Sequence, residues 1–319
     1  MSRKRNLGLL AAAAGAVGAG VAVQRRRRNR PSSPALPLER DPLVALPGRD
    51  RDLVMDDGGT ISLTDMGPAD GQVVVLIHGY VNDRRVWSDV APRLVEAGHR
   101  VIAYDQRGHG RSVAGSDPWT VNRLGRDLAA VLELLDLHDV VIAGHSMGGM
   151  ATQAMLIDHP EQHRVRAIVL VATGAAGVGL PPQARALGDF AIGWERGDSF
   201  MARDALGMAF VRGAFGKGAH REHVLACRDM LLNTPVASRR GCLAAMNVMD
   251  LRAGLGSIAV PTAIIVGTLD TLTPPTRARV INAAIPGSTL EVLPGRGHML
   301  PWEAPDEVAH LIELAAKAA

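Results

Sequence analysis

The sequence predicts an α/β protein built on a mostly parallel, eight-stranded sheet with helices on both faces and a helical insertion. Three observations carry this: short apolar runs alternating with helical stretches, a hairpin ahead of them, and one long break in the rhythm. The hairpin comes first. DLVMDDG and TISLTDMG read as two strands joined at Asp57-Gly58-Gly59. The runs QVVVLI (72–77), RVIAYD (100–105), DVVIAG (139–144), RAIVLVA (166–172), TAIIVG (262–267) and TLEVL (289–293) follow. They are nearly continuous in apolar residues, as strands covered on both faces are. Helical patterns lie between them, at Val86–Ala97, Val121–Leu135 and Met147–His159. Right-handed crossovers then give a doubly wound sheet.

The break begins after VATGAAG (171–177), where no strand pattern recurs until about Ser257. A segment that long is not a loop, and its pattern is helical, so residues 174–256 read as a cap inserted after the sixth strand. Core segments 49–173 and 257–319 flank it. All four phenylalanines fall in the cap (Phe190, Phe200, Phe210, Phe215), with Trp194, Met201, Met208, Met230, Met246 and Met249. These residues either line an apolar acyl pocket or simply pack the cap onto the core.

Ahead of the body lie two other segments. Residues 1–30 carry Arg3, Lys4, Arg5, Arg25, Arg26, Arg27, Arg28 and Arg30 with no acid, a local charge of +8. The whole chain has +3, so residues 31–319 carry −5. No basic stripe is left on the body, and nucleic acid is excluded as a partner. Between the basic clusters, Leu7 to Val23 is uncharged, near the length that spans a bilayer but weakly hydrophobic, so residues 1–30 read as a membrane-anchor-like segment. Attachment to a membrane surface through residues 3–30, with a cytoplasmic body, is the favoured reading. A cleaved export signal and a disordered tail stay open. Residues 31–48 are proline-rich and read as a linker. Cys227 and Cys242 are the only cysteines and form no CxxC pair, which argues against zinc. Two buried thiols are the commoner outcome for such a pair, one disulfide the other.

The chemistry centres on Gly144-His145-Ser146-Met147-Gly148, a G-x-S-x-G sequence between a strand and a helix. A sharp turn there projects the Ser146 hydroxyl from the strand's end, and the helix aims its free N–H groups at the same spot. The hydroxyl needs a base. His298, in PGRGHML just past the last strand, lies on a loop that returns over the same sheet edge. His78, His109 and His145 sit in glycine turns and read as loop support. The imidazole needs a carboxylate, and Asp270 ends the preceding strand in VGTLD. An acid after VATGAAG would serve too, but none occurs there. The oxyanion donors expected are the backbone N–H groups of Met147 and of Tyr80, with Val81 as the less favoured loop donor.

IHGY, YDQRGHGRS (104–112), GHSMGG, GTLD and GRGHMLPWEAPDEV (295–308) together resemble the α/β-hydrolase superfamily, most of all its capped esterase, monoglyceride-lipase-like and perhydrolase-like branches. The resemblance runs from about Arg51 to the C-terminus and is weakest in the cap. It implies the α/β-hydrolase fold and agrees with the chain order Ser…Asp…His. Epoxide hydrolases and haloalkane dehalogenases resemble this fold but place an aspartate where this chain has Ser146. Asp105 and Arg107 are expected to hold loops together. The expected activity is a cofactor-independent serine hydrolase cleaving carboxylic esters, with a lean towards lipid-like ones. Carbon–carbon, thioester or amide cleavage and perhydrolysis are the alternatives, because the cap selects the bond. A binding protein on the same fold would show a damaged triad, and every part is present. No metal or cofactor signature occurs, and the oligomeric state is not legible.

Overall fold

The computed structural model describes residues 41–158, 163–177 and 204–317, together with Asp198 and Ala202. The expected strands all form: β1 (Arg49–Val54), β2 (Thr60–Met66), β3 (Val73–Ile77), β4 (Arg100–Tyr104), β5 (Val140–His145), β6 (Val165–Val171), β7 (Thr262–Gly267) and β8 (Thr289–Leu293). They make one eight-stranded sheet in the order β1-β2-β4-β3-β5-β6-β7-β8. The β1–β2 and β2–β4 pairs are antiparallel, and every other pair is parallel.

Strand side chains alternate between two cores, which is why the runs read as continuously apolar. Val75, Ile77, Ile142 and Ile168 face one layer, with Leu128 and Leu132 from α2 (Val121–Leu134) and Ala151 and Met155 from α3 (Met147–Asp158). Val74, Leu76, Val141 and Val169 face the other, with Leu94 from α1 (Ala91–Glu96) and the C-terminal helix. The pattern over Val86–Ala97 resolves into a 3-10 turn at Arg84–Trp87 and then α1, a break set by Pro92 at the start of the second piece.

After β3 the chain moves to one side of the sheet, and after β4 it crosses to the other. The C-terminal ends of β3 and β5 therefore lie side by side at the point where strand order reverses, the place where open α/β sheets bind ligands.

The described part of the insertion is helical: α4 (Asp204–Val211), α5 (Arg221–Asn233) and α6 (Val236–Val248). Its two ends are stitched together, since Gly177 N–H donates to Met249 O at 2.9 Å and Leu251 N–H to Ala175 O at 2.8 Å. The chain thus leaves and re-enters the sheet layer at one place. The body is completed by α7 (Pro275–Ala284), the short α8 (Leu300–Glu303) and α9 (Pro305–Lys317).

One expectation needs correction. The end of the linker expected at 31–48 belongs to the body, because Leu46 is buried in the second core and Arg85 Nη1 donates to Leu43 O at 3.1 Å. Proline content masked the apolar spacing that docks it. Among the cap aromatics and methionines, Phe215 stacks on Trp302, while Met230, Met246 and Met249 are buried in the cores. These four pack the cap, and Phe210 is exposed. Phe190, Trp194, Phe200 and Met201 lie outside the described residues, as does the apolar and basic segment 1–30. Among the described residues no helix is long and apolar enough to cross a membrane. Cys227 and Cys242 are free and buried, and burial pushes both thiols up to about 12.

Candidate active site

The turn at Ser146 is tight enough that its neighbours are dictated by contact distance. Ser146 has φ of 51°, a left-handed conformation rare for a residue with a side chain. Its N–H donates to Val171 O at 2.9 Å, and its carbonyl accepts from the Thr173 hydroxyl at 2.7 Å. A Cβ at Gly148 would lie 2.5 Å from Ile77 O, and one at Gly144 would lie 2.7 Å from the Gly148 backbone. Helix α3 therefore starts against the ends of β3 and β5, and only glycine fits at the two crossing points. The strained serine stays put because the surrounding backbone leaves it no other conformation.

Three side chains from three separate loops converge there. His298 Nε2 lies 3.0 Å from Ser146 Oγ, and His298 Nδ1 lies 2.9 Å from Asp270 Oδ2. All three residues are buried, with the Asp270 side chain at 0% exposure. Asp270 Oδ1 accepts the backbone N–H groups of Leu272 at 2.9 Å and Thr273 at 2.8 Å. Burial pushes the Asp270 carboxyl up, but the charge and hydrogen bond of His298 and the Thr273 bonds outweigh it, and the net direction is down. An ionised Asp270 keeps the proton of His298 on Nδ1 and leaves Nε2 as an acceptor for the serine hydroxyl.

Thr273 is a participant that the motif reading did not single out. Its hydroxyl lies 2.7 Å from Asp270 Oδ2, 2.8 Å from Ala172 O and 3.1 Å from His298 Nδ1. One proton serves either oxygen, so a lone pair remains to share the Nδ1 proton. The signal was present as a threonine three residues past the carboxylate, the spacing of a turn that folds back on its own aspartate. Glu303 lies within the GRGHMLPWEAPDEV segment, five residues past the histidine. It is buried, and its carboxylate accepts N–H groups on both sides of His298, from Gly297 at 2.9 Å and Met299 at 3.0 Å.

The three histidines of the glycine turns hold the loops. His145 Nε2 lies 2.9 Å from His298 O, His78 Nε2 accepts from Gln106 N–H at 2.8 Å, and His109 Nδ1 lies 3.0 Å from Arg107 O. Burial lowers His145 and His78 to about 3 and His109 to about 4, so all three are neutral at ordinary pH. Arg107 binds Asp127 through two nitrogens at 2.6 and 2.8 Å and Asp57 at 2.9 Å, tying the β4 loop to the opening hairpin and α2. Asp105 accepts from Arg84 Nη1 and from the Arg84 and Arg111 N–H groups, each at 2.8 Å. Both residues therefore have the loop-holding contacts expected of them.

The loop after β3 passes directly over Ser146. A Cβ at Gly79 would lie 3.1 Å from the Ser146 Cβ and 2.9 Å from His145 Nδ1. Tyr80 follows, its hydroxyl donating to Arg239 O at 2.8 Å. Val81 has φ of 53°, and its N–H donates to His109 Nε2 at 3.3 Å. Met147 opens α3, where the first N–H groups have no partner within the helix. Among the described residues no cluster of His, Cys, Asp or Glu could hold a metal ion.

An eight-stranded doubly wound sheet with a serine at the switch point, a histidine after β8 and a carboxylate after β7 defines a class of hydrolases. The chain belongs to the alpha/beta hydrolase family, whose model matches residues 74–311. It is similar to the 3-oxoadipate enol-lactonase 2 of Acinetobacter baylyi, with 28% identity over 81% of this chain and 93% of that protein. Its fold is similar to that of a bromoperoxidase from Bacillus anthracis, with TM-score 0.75 and 25% identity over 84% of this chain and 100% of the other. An esterase from Exiguobacterium antarcticum has TM-score 0.74 and 25% identity, over 84% of this chain and 99% of the other.

Proposed function

We propose that this chain is a serine hydrolase that cleaves carboxylic esters through an acyl-serine intermediate. The observation that carries the reading is the unbroken line of Ser146, His298 and Asp270, spaced at 3.0 and 2.9 Å. His298 Nε2 takes the Ser146 proton as Oγ attacks the acyl carbon, and the same nitrogen then protonates the departing alcohol. Water, deprotonated by His298, releases the acid. The developing oxyanion sits between the N–H groups of Met147 and Tyr80. Engagement of the Val81 N–H with His109 supports Tyr80 as the loop donor.

The relatives fit this reading, since one is named an enol-lactonase and another an esterase. The likeness to a bromoperoxidase favours one second reading, in which hydrogen peroxide replaces water, takes the acyl group as a peracid and leaves the Ser146 hydroxyl restored. Acyl-chain preference rests on the cap. The described cap methionines are packing residues, which removes part of the support for a lipid-like substrate. A membrane surface held by residues 3–30 belongs to the same proposal and rests on the sequence alone, on their charge and on the apolar stretch Leu7 to Val23.

The test is hydrolysis of p-nitrophenyl esters from acetate to palmitate by the full chain beside Ser146→Ala. Serine-dependent turnover supports the reading, and its chain-length optimum sizes the pocket. Turnover equal in both proteins on every ester sinks it. Peracid formed with added hydrogen peroxide, at the expense of hydrolysis, would favour the second reading.

A further inference from the structure

His298 has backbone contacts with the insertion as well as its bond to Asp270. Residues 214–217, between α4 and α5, run beside the histidine loop. His298 N–H donates to Ala214 O at 2.7 Å, and Lys217 N–H donates to Gly295 O at 2.8 Å. The two segments touch backbone to backbone. A Cβ at Gly216 would lie 2.5 Å from Gly297 N and closer still to Gly295 O, and one at Gly297 would collide with Gly216 N.

Glu303 lies at the junction. Its Oε2 accepts Gly216 N–H at 2.6 Å and Gly297 N–H at 2.9 Å, while Oε1 accepts Met299 N–H at 3.0 Å. The residue is 8% exposed. Three converging N–H donors need a group that only accepts, and a carboxylate supplies four lone-pair sites on two oxygens. Glutamine has one acceptor oxygen, and its NH2 would face an amide proton. Burial pushes the Glu303 carboxyl up, and the three N–H donors and the charge of Arg212 offset part of that cost.

We propose that Glu303 is a positioning residue that clamps the His298 loop to residues 214–217, so that docking of the insertion sets the reach of His298 Nε2 to Ser146. The proposal rests on the reading of His298 as the general base. A purely structural Glu303 would lower stability and leave the serine's reactivity unchanged in the folded protein. A clamp ties the two together.

The experiment measures the rate at which a fluorophosphonate labels Ser146 in the full chain, by mass spectrometry, alongside kcat and KM on p-nitrophenyl butyrate. Circular dichroism and Tm report folding. In folded Glu303→Gln, labelling and kcat fall about tenfold or more, because sub-ångström misplacement of the base is costly, while KM stays within about threefold. Gly216→Ala, which pushes the insertion off the loop, gives the same phenotype. The double variant falls little below the worse single, since both act through one clamp. Glu133→Gln, at an exposed carboxylate on α2 away from the histidine loop, serves as the control and labels at the wild-type rate.

Folded Glu303→Gln and Gly216→Ala that label at the wild-type rate overturn the clamp, as do losses that multiply in the double variant. Amide exchange in the wild type decides the matter if neither variant folds. The N–H groups of Gly216, Gly297 and His298 then exchange together, and independent exchange overturns the proposal. A wild-type Ser146 that labels but turns over no ester leaves the clamp testable and defeats only the esterase reading. A wild-type Ser146 that takes no label defeats both.

Discussion

Asp270→Asn should inactivate the protein by reversing a single hydrogen bond. Asp270 Oδ1 accepts two backbone N–H groups, from Leu272 at 2.9 Å and Thr273 at 2.8 Å. In the asparagine variant the amide oxygen is the only acceptor left, so those donors hold it in the Oδ1 place. The NH2 group then takes the place of Oδ2, 2.9 Å from His298 Nδ1. A donor there forces Nδ1 to accept and moves the imidazole proton to Nε2, which faces Ser146 Oγ at 3.0 Å. The base then presents a proton where it must receive one. The same substitution in a serine protease triad, a known example in another fold, costs about 10⁴ in kcat, or about 5 kcal/mol of barrier. The volume change is negligible, and Tm should move by only a few degrees. The assay is kcat on p-nitrophenyl butyrate with folding checked by circular dichroism. A folded variant within about tenfold of wild type would refute the tautomer argument.

Other substitutions test the surroundings. Gly79→Ala places a methyl 3.1 Å from Ser146 Cβ and 2.9 Å from His145 Nδ1, so kcat/KM should drop at least about tenfold with folding retained; an unchanged kcat/KM contradicts the close approach. Arg107→Leu removes three hydrogen bonds from the buried Asp127 and Asp57, which keep Arg123 as their remaining cation, and should cost about 2–3 kcal/mol in chemical denaturation, whereas a loss below about 0.5 kcal/mol would mean the network relaxes. Asp57 and Asp270 are both held below the ordinary carboxylate range, Asp57 against its burial by Arg107 and backbone N–H groups. Their stabilisation is therefore complete above about pH 4 and lost as pH falls through their lowered folded values, so urea midpoints should decline below pH 4. A midpoint that holds steady to pH 2 goes against this. Full-length protein should sediment with anionic vesicles in low salt and residues 31–319 should not, while equal sedimentation would remove any role for residues 3–30.

The framework of the site was legible because its signals are local. A β-branched run, a glycine on each side of Ser146 and a histidine after the last strand each reflect a constraint within a few residues. The two-sided burial of the strands explains why Val140–His145 was readable to within one residue. What escaped notice was non-local. Glu303 acts through backbone N–H groups of Gly216, distant in sequence, and no periodicity reports such a bond. Thr273 matters through the Ala172 carbonyl, supplied by another strand's end. The helical break at Ser88–Val90 was readable from Pro92, but the apolar spacing on either side masked it. Cap methionines read equally as pocket or packing, since hydrophobicity alone does not say which neighbour covers a side chain.

The most direct test of the central claim is to acid-quench the full chain during turnover of p-nitrophenyl butyrate and map the acyl adduct by peptide mass spectrometry. The account predicts a butyryl group on the peptide carrying Ser146, absent from Ser146→Ala and strongly reduced in His298→Ala. An adduct on another residue, or undiminished ester turnover in Ser146→Ala, would contradict it.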